Sequence, residues 1–395
     1  VTAYALEWAN LLVRWLHLVA GISWIGASFY FVWLDNSLEP AKAEDAEDGV
    51  LGELWSVHGG GFYHNQKYLT GPKREPLTDK LHWFKWEAYT TWLSGMALLA
   101  VVYWADAGAF MIDKSVLDLS PASAIAISFG AIVAGWLVYD GLCRALESRP
   151  RELGVIVAAL LVLASWGLYH VFSARAAYIE LGAIVGTIMV ANVFFIIIPG
   201  QQRMLADIRA ARPVNARPGK LGKIRSVHNT YFTLPVLFIM ISNHFPMTYA
   251  SPYGWATLAA ISAAGVLVRQ FFLYTHKHRF VPALPAAAAV ILGVVAFALA
   301  PRHAATSATT VHFAEVAPIV ASRCAVCHAA HPVQPGFSAA PAGVLLDTPE
   351  HIAANAARIY QQAVATHAMP LGNLTGITEA ERTELGAWID QGAKT

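Results

Sequence analysis

The sequence predicts an all-α protein in two parts: an eight-helix transmembrane bundle, then a small all-helical soluble domain. Three observations carry this. Only 13% of the 395 residues are charged and 56% are hydrophobic, whereas soluble globular chains carry roughly a quarter charged residues. Eight segments are apolar over the length a bilayer crossing needs, roughly 20 residues of helix. After Ala300 the composition turns polar and stays so to the end.

The expected spans are 6–34, 83–105, 121–142, 153–172, 180–200, 227–246, 253–275 and 280–300. The first lacks a basic leader, so it is read as a retained span rather than a cleaved signal. The thirteen Trp residues suit a chain anchored at bilayer interfaces. Orientation follows from loop Lys and Arg, which favour the cytoplasm. The loops over 35–82, 143–152 and 201–226, and the turn carrying Lys277 and Arg279, hold nearly all of them. The alternate loops carry only Lys114 and Arg175. Both termini are then outside the cytoplasm. A net charge of +1 gives no reason to expect a nucleic-acid partner; the lipid bilayer is the expected surroundings.

Residues 301–310 read as a polar linker and 311–395 as the soluble domain. Of three Cys, Cys143 is read as structural, while Cys324 and Cys327 form Cys-x-x-Cys-His with His328. A bare Cys-x-x-Cys reads as a dithiol or half a zinc site; the following His makes it a c-type haem attachment motif. The expected domain is thus a class I-type cytochrome c with one covalent haem c. His328 is the proximal metal ligand by position. The distal ligand is expected to be Met369, whose thioether raises the reduction potential relative to a second His; His331, His351 and His367 compete, His367 most seriously. A first helix over 311–323 delivers the motif, Thr348-Pro349 starts a second, and Thr378-x-x-Glu381 is a capping box for the last. Trp388 is expected to pack on the first helix.

Ionisable and amide groups at bilayer depth are costly and are functional suspects. Arg14 and His17 lie in the first span, Glu87 starts the second, Asp140 ends the third, His170 ends the fourth and Asn192 lies mid-fifth. His228 and Asn229 open the sixth span, Asn243 and His244 close it, and Arg269 lies late in the seventh. Each alone reads as an interhelical hydrogen bond or a snorkelling side chain; together they exceed what an anchor needs. The densest cluster is cytoplasmic, His58-Gly-Gly-Gly-Phe-Tyr-His64-Asn65-Gln66-Lys67-Tyr68 followed by Leu81-His-Trp-Phe-Lys85-Trp-Glu87-Ala-Tyr89. A Gly triplet lets backbone approach a ligand, the polar groups suit a planar heteroatom-rich anion, and aromatics can stack on it. The plain alternative is an interfacial aromatic belt. The acidic stretch 42–53 reads as a solvated loop or short helix.

The runs His58–Tyr68 and Leu81–Tyr89, the segment Ser226-Val-His-Asn-Thr-Tyr-Phe-Thr-Leu-Pro-Val-Leu-Phe238, the segment Ser242-Asn-His-Phe-Pro246 and the tail motifs Gly343–Pro349 and Met369–Thr375 resemble bacterial membrane-bound urate oxidases fused to cytochrome c. The resemblance covers nearly the whole chain and implies oxidation of urate to 5-hydroxyisourate in purine degradation. Electrons would pass to the fused haem and on to the respiratory chain through a downstream cytochrome c or terminal oxidase, without peroxide formation at the urate site. It also implies a multi-pass protein of the bacterial inner membrane with its cytochrome domain in the periplasm. On the residues' own chemistry, Arg14, Lys67, Lys85 and Arg269 are candidate cations for urate, with Asn65, Gln66, Asn229, Asn243 and His244 as further binding groups. His64, Glu87 or His228 is the candidate base.

Urate is made in the cytoplasm and the haem is expected outside, across about 30 Å of hydrocarbon. Either urate binds in the outer half, near Arg14, His17, Asn243 and His244, or a second redox centre lies between. Trp15-Leu-His17-Leu with Trp24-Ile-Gly26 resembles the first helix of haem-binding membrane oxidases, so a b-type haem on His17 is expected under the second option. The competing functions are a membrane quinol dehydrogenase feeding its own cytochrome and a mere membrane anchor; the anchor needs one span, not eight.

Overall fold

The computed structural model describes residues 2–74, 76–300, 310–335 and 337–395. The linker expected over 301–310 lies, but for its last residue, outside the described residues. The described chain is predominantly helical. Helix α1 spans Thr2–Ser37. An antiparallel hairpin follows, β1 over Val50–His58 and β2 over Gly61–Tyr68. Helix α2, Trp86–Leu98, runs on into a π turn over Leu99–Trp104. Helices α3 (Pro121–Ala145) and α4 (Pro150–Tyr169) come next. Helix α5, Ala174–Ala191, continues through a second π turn, Asn192–Ile197, into Ile198–Arg209. Helices α6 (Arg217–Ser242), α7 (Gly254–His276) and α8 (Ala283–Ala298) complete the first part.

Among the described residues five helices are long and apolar enough to cross a membrane: Tyr4–Ser37, Pro121–Ala145, Pro150–Tyr169, Ala174–Arg209 and Gly254–His276. They mark a membrane protein. The other three expected spans are helical but differ in kind. The second is divided by its π turn, the sixth begins in a basic segment that lowers its apolarity, and Ala283–Ala298 is a shorter apolar helix.

Local chemistry explains the helix starts. Ser120 accepts from the Ser123 amide ahead of Pro121, and Ser173 accepts from the Ala176 amide; both satisfy donors that a helix N-terminus leaves open. Packing relies on small residues, as it must where lipid removes the hydrophobic drive between helices. A Cβ on Gly135 would lie 2.6 Å from Ile184, and one on Gly182 would lie 2.6 Å from Ile239. Glycine there brings α3 and α6 onto α5, the helix richest in buried residues.

The hairpin corrects the all-α expectation. Gly59 and Gly60 have φ of +60° and +82°, the left-handed pair a two-residue turn requires. The Gly triplet therefore reverses the chain rather than opening it to a ligand. The strands lacked the usual signal because both faces carry polar and apolar side chains mixed, so no clean alternation marks a buried face.

The C-terminal domain has its own core, in which Val316, Val320, Leu385 and Trp388 are fully buried. Helix α9 (Phe313–Arg323) packs on α12 (Glu379–Asp390), with Phe313 and Trp388 ring centres 5.8 Å apart. Between them lie α10 (Pro349–Ala354) and α11 (Ala356–Ile359), separated by Asn355, so the expected second helix is interrupted. The domain rests on one end of the bundle. A Cβ on Gly372 would sit 2.6 Å from the Ile112 carbonyl oxygen, and Ser338 donates to Glu7 at 3.0 Å. The start of α1 and the C-terminal domain therefore share an end. The hairpin lies at the other, tied by Asp35 at the close of α1 to Lys67 and Lys223.

Candidate functional site

A cavity of about 530 Å³ lies in the C-terminal domain where it meets the bundle. Cys324, Cys327, His328 and Met369 all line it. Helix α9 carries the chain to Cys324, and the carbonyls of Val320 and Cys324 hold the turn that follows. His328 donates through Nδ1 to the Val344 carbonyl at 3.0 Å, which fixes its tautomer and leaves Nε2 as the metal-binding nitrogen. Met369 is held by its backbone: its amide donates to the Gln362 carbonyl at 2.9 Å and its carbonyl accepts from buried Arg382 at 2.8 Å.

The rival histidines do not line the cavity. His351 bonds Asp347 at 2.7 Å and His367 faces Glu379 at 3.5 Å. Burial pushes the Cys324 thiol up to about 11, and burial raises Cys327 as well, so neither is poised as a thiolate for dithiol exchange at neutral pH. Two thiols, one imidazole and one thioether on the wall of a largely apolar cavity are the donor set that a covalently attached haem requires. The residues present fit that group.

In the bundle the candidate residues separate into four places. The first is the hairpin. His64 stacks on Trp55 at 4.3 Å and bonds Glu53 at 3.0 Å. Asn65 reaches across to Ser56 at 3.4 Å, Gln66 accepts from Tyr68 at 3.1 Å, and Lys67 pairs with Asp35. These side chains are used by the hairpin and its anchoring to α1.

The second is a network within α3, α5 and α6. The Asn192 amide nitrogen donates to the Tyr139 hydroxyl at 3.1 Å and to Asn229 Oδ1 at 2.9 Å. The Tyr139 hydroxyl meets His228 Nδ1 at 2.8 Å. Arg225 bonds Asn192 Oδ1 at 3.2 Å and Asp140 at 2.5 Å. Asn192 opens the π turn of α5, a feature common at functional positions. Tyr139 and Arg225 were not among the sequence candidates. Arg225 lies just ahead of the expected sixth span and reads as one more cytoplasmic anchor.

The third is the end of the bundle beneath the C-terminal domain. Asn243 accepts from Arg175 Nε at 3.1 Å and from Tyr103 at 3.4 Å. His244 beside it is exposed. Arg14 is exposed too and bonds Asn10 on its own helix at 2.9 Å, so it does not join His17. His17 bonds the Thr91 carbonyl at 3.0 Å and Ser94 at 3.1 Å, with its ring against Gly95.

The fourth flanks the inner half of α1 and has unmet bonding capacity, as does Glu180 on α5, whose Oε1 is buried without a partner while its Oε2 accepts from Ser128 at 2.7 Å. Arg269 is 5% exposed, yet its Nε and Nη2 are buried and have no hydrogen-bond partner. Its guanidinium carbon lies 4.7 Å from the centre of the Phe29 ring. His276, two turns further along the same face of α7, has a buried Nδ1 without a partner. Glu87 has a buried Oε2 without one. The pairing of α1 with α2 runs from His17 beside Ser94 to Phe31 beside Phe84, at 4.9 Å between rings. That register sets Glu87 within about a helical turn of the level of Phe29. Next to Arg269, Gln270 accepts from the Tyr231 hydroxyl. Lys85 lies 5.7 Å from the Trp86 ring at the α2 start. Arg269 over the Phe29 ring, with polar atoms unfilled, can bind a planar anion, and Glu87, near that level on α2, offers a free carboxylate oxygen. Buried polar atoms without partners are rare in native structures.

Among known families, the model described as urate oxidase N-terminal matches residues 3–300. No curated protein and no solved structure matches the chain.

Proposed function

The chain belongs to the urate oxidase N-terminal family, and from that membership we propose that its bundle oxidises urate to 5-hydroxyisourate and passes the electrons to a c-type haem in the C-terminal domain. The observation that carries the placement of the site is Arg269, buried with two nitrogens unpaired and its guanidinium over Phe29. Urate is a flat anion rich in carbonyl and N–H groups. A guanidinium fork meets such an edge with two parallel hydrogen bonds, and Phe29 limits the approach to one plane.

The balanced half-reaction is urate plus water giving 5-hydroxyisourate, two protons and two electrons. Water must lose a proton as its oxygen bonds to C5. We assign that proton to Glu87, whose carboxylate has an unused buried oxygen, while His64 and His228, the other sequence candidates, are each bonded elsewhere. Peroxide is not formed, because the electrons leave through the protein rather than to O₂ at the site. Cys324, Cys327, His328 and Met369 would together hold the haem, the first two through their sulfurs and the last two as iron ligands. When bound, that group accepts one electron at a time at a potential raised by the thioether.

In this reading the eight helices all cross the bacterial inner membrane, the C-terminal domain lies in the periplasm, and a cytochrome c or terminal oxidase takes the electrons onward. His17 lies twelve residues from Phe29 along α1, about 18 Å, toward the end that carries the C-terminal domain. A b-type haem on His17 would divide the distance; pyridine-haemochrome analysis yielding only c-type haem rejects that element. The main test is anaerobic addition of urate to the purified, oxidised protein. Reduction of the haem, with one urate per two electrons, is the expected result. A haem reduced by quinol and left ferric by urate overturns the proposal.

A further inference from the structure

The cavity around Cys324 and Met369 is not walled by its own domain alone. Phe110 and Arg175, both from the bundle, complete it. Arg175 is the second residue of α5, and its backbone position is set by the Ser173 cap. It is anchored through one nitrogen only, Nε, to Asn243 at 3.1 Å. Its guanidinium carbon lies 5.5 Å from the Phe110 ring centre and 6.0 Å from that of Tyr103. Asn243 is held in turn by the Tyr103 hydroxyl at 3.4 Å. The guanidinium is thus braced by two rings and an amide, and among the described residues no hydrogen bond engages Nη1 or Nη2.

Charge points the same way. Among the described residues three arginines line the cavity, Arg175, Arg323 and Arg358, and no Asp or Glu does. Arg323 is already taken by Glu381 at 3.0 Å and by the Thr375 carbonyl. Arg358 is exposed. Arg175 is therefore the half-buried cation whose charge the wall leaves uncompensated. A guanidinium in this state matches a carboxylate with two oxygens, and a haem carries two carboxylates on its rim.

We infer that Arg175 binds a carboxylate of the prosthetic group in this cavity, so that the bundle and the C-terminal domain are joined through the cofactor and a bundle residue sets its reduction potential. The inference rests on the haem reading given above. A positive charge at the rim favours the form with the extra electron, and the partial burial of the contact limits screening by salt. Docking of the two parts then tunes the acceptor, and a detached C-terminal domain would have a different potential.

The test is a mediated redox titration of the full-length protein in detergent, with no urate present. Arg175→Gln is expected to shift the midpoint to lower potential, and Arg175→Lys to shift it less. Faster amide exchange over residues 107–112, which pack on Gly372, is expected in Arg175→Gln. Loss of haem from Arg175→Gln with retention in Arg175→Lys supports the same contact. Haem-loaded variants with the parent midpoint overturn the inference and leave the urate reading standing. A parent protein that carries no covalent haem overturns both.

Discussion

The guanidinium of Arg269 lies against the face of Phe29 at 4.7 Å, while its Nε and Nη2 point at no acceptor. Burying such a group without a partner is costly, so its unfilled bonds define where a ligand gains most. Replacing Arg269 with Gln removes the charge-assisted bonds and is expected to weaken urate by about 2–4 kcal/mol, roughly 30- to 1,000-fold. The measurement is the urate concentration dependence of anaerobic haem reduction. The haem spectrum should not change, because the cavity is at the other end of the bundle. Parent-like urate dependence would move the site elsewhere.

Glu87 is expected to act on rate rather than affinity. Glu87→Gln keeps the shape and removes the base, so kcat should fall by about 10²- to 10⁴-fold with a smaller change in KM. A variant that keeps the parent kcat assigns the base to another group.

Met369→Ala is expected to lower the midpoint potential of the haem, since thioether ligation raises it. The Met–iron absorption band should disappear with it. An unchanged band returns the ligand assignment to His367, although His367 lies outside the cavity wall.

The Arg225–Asp140 pair is built into the network that ties α3, α5 and α6. Removing one partner of a buried pair leaves the other charge uncompensated, at about 3–5 kcal/mol. Arg144 also bonds Asp140 at 2.7 Å, which puts Arg225→Ala nearer the lower figure. Thermal unfolding in detergent should show the loss. Activity should fall only as far as the folded fraction does, which separates this network from the Arg269 site.

In the C-terminal domain Glu381 accepts from the Thr378 amide at 2.7 Å and from Arg323 at 3.0 Å. The Thr378 backbone bond first, and then Arg323, hold its carboxyl below the usual carboxylate range. A depressed folded-state value means that the stabilisation is complete above the unfolded value, about 4.3, and is lost as pH falls through the lower folded value. Acid unfolding followed by far-ultraviolet circular dichroism should therefore be less steep in this window for Glu381→Ala. At neutral pH that variant should lose about 1 kcal/mol through its cap.

Much of the architecture was legible in the chain itself. Helix segments, caps at Thr348 and Thr378, and the attachment motif at Cys324 are local: each depends on residues within one or two turns. Charge asymmetry between loops is also readable, because it needs only the order of spans. The hairpin was not legible. Its outward face carries the apolar Leu51, Trp55 and Val57 while its more buried face holds Gly52 and Ser56, so no polar–apolar alternation marks it, and its glycines serve a turn as readily as a binding loop.

The candidate binding residues show the same division more sharply. The sequence by itself determined which polar groups enter the apolar segments, because lipid makes each of them conspicuous. It could not determine which of them satisfy one another. Asn192, Asn229, His228 and Arg225 close a network with Tyr139 and Asp140, whereas Arg269, Glu87, His276 and Glu180 keep buried atoms unpaired. Pairing depends on distances between side chains far apart in the chain, and those exist only once the helices pack. The same holds for Arg175, a lone loop charge in the sequence, which the meeting of two domains turns into part of the cavity that holds Cys324 and Met369.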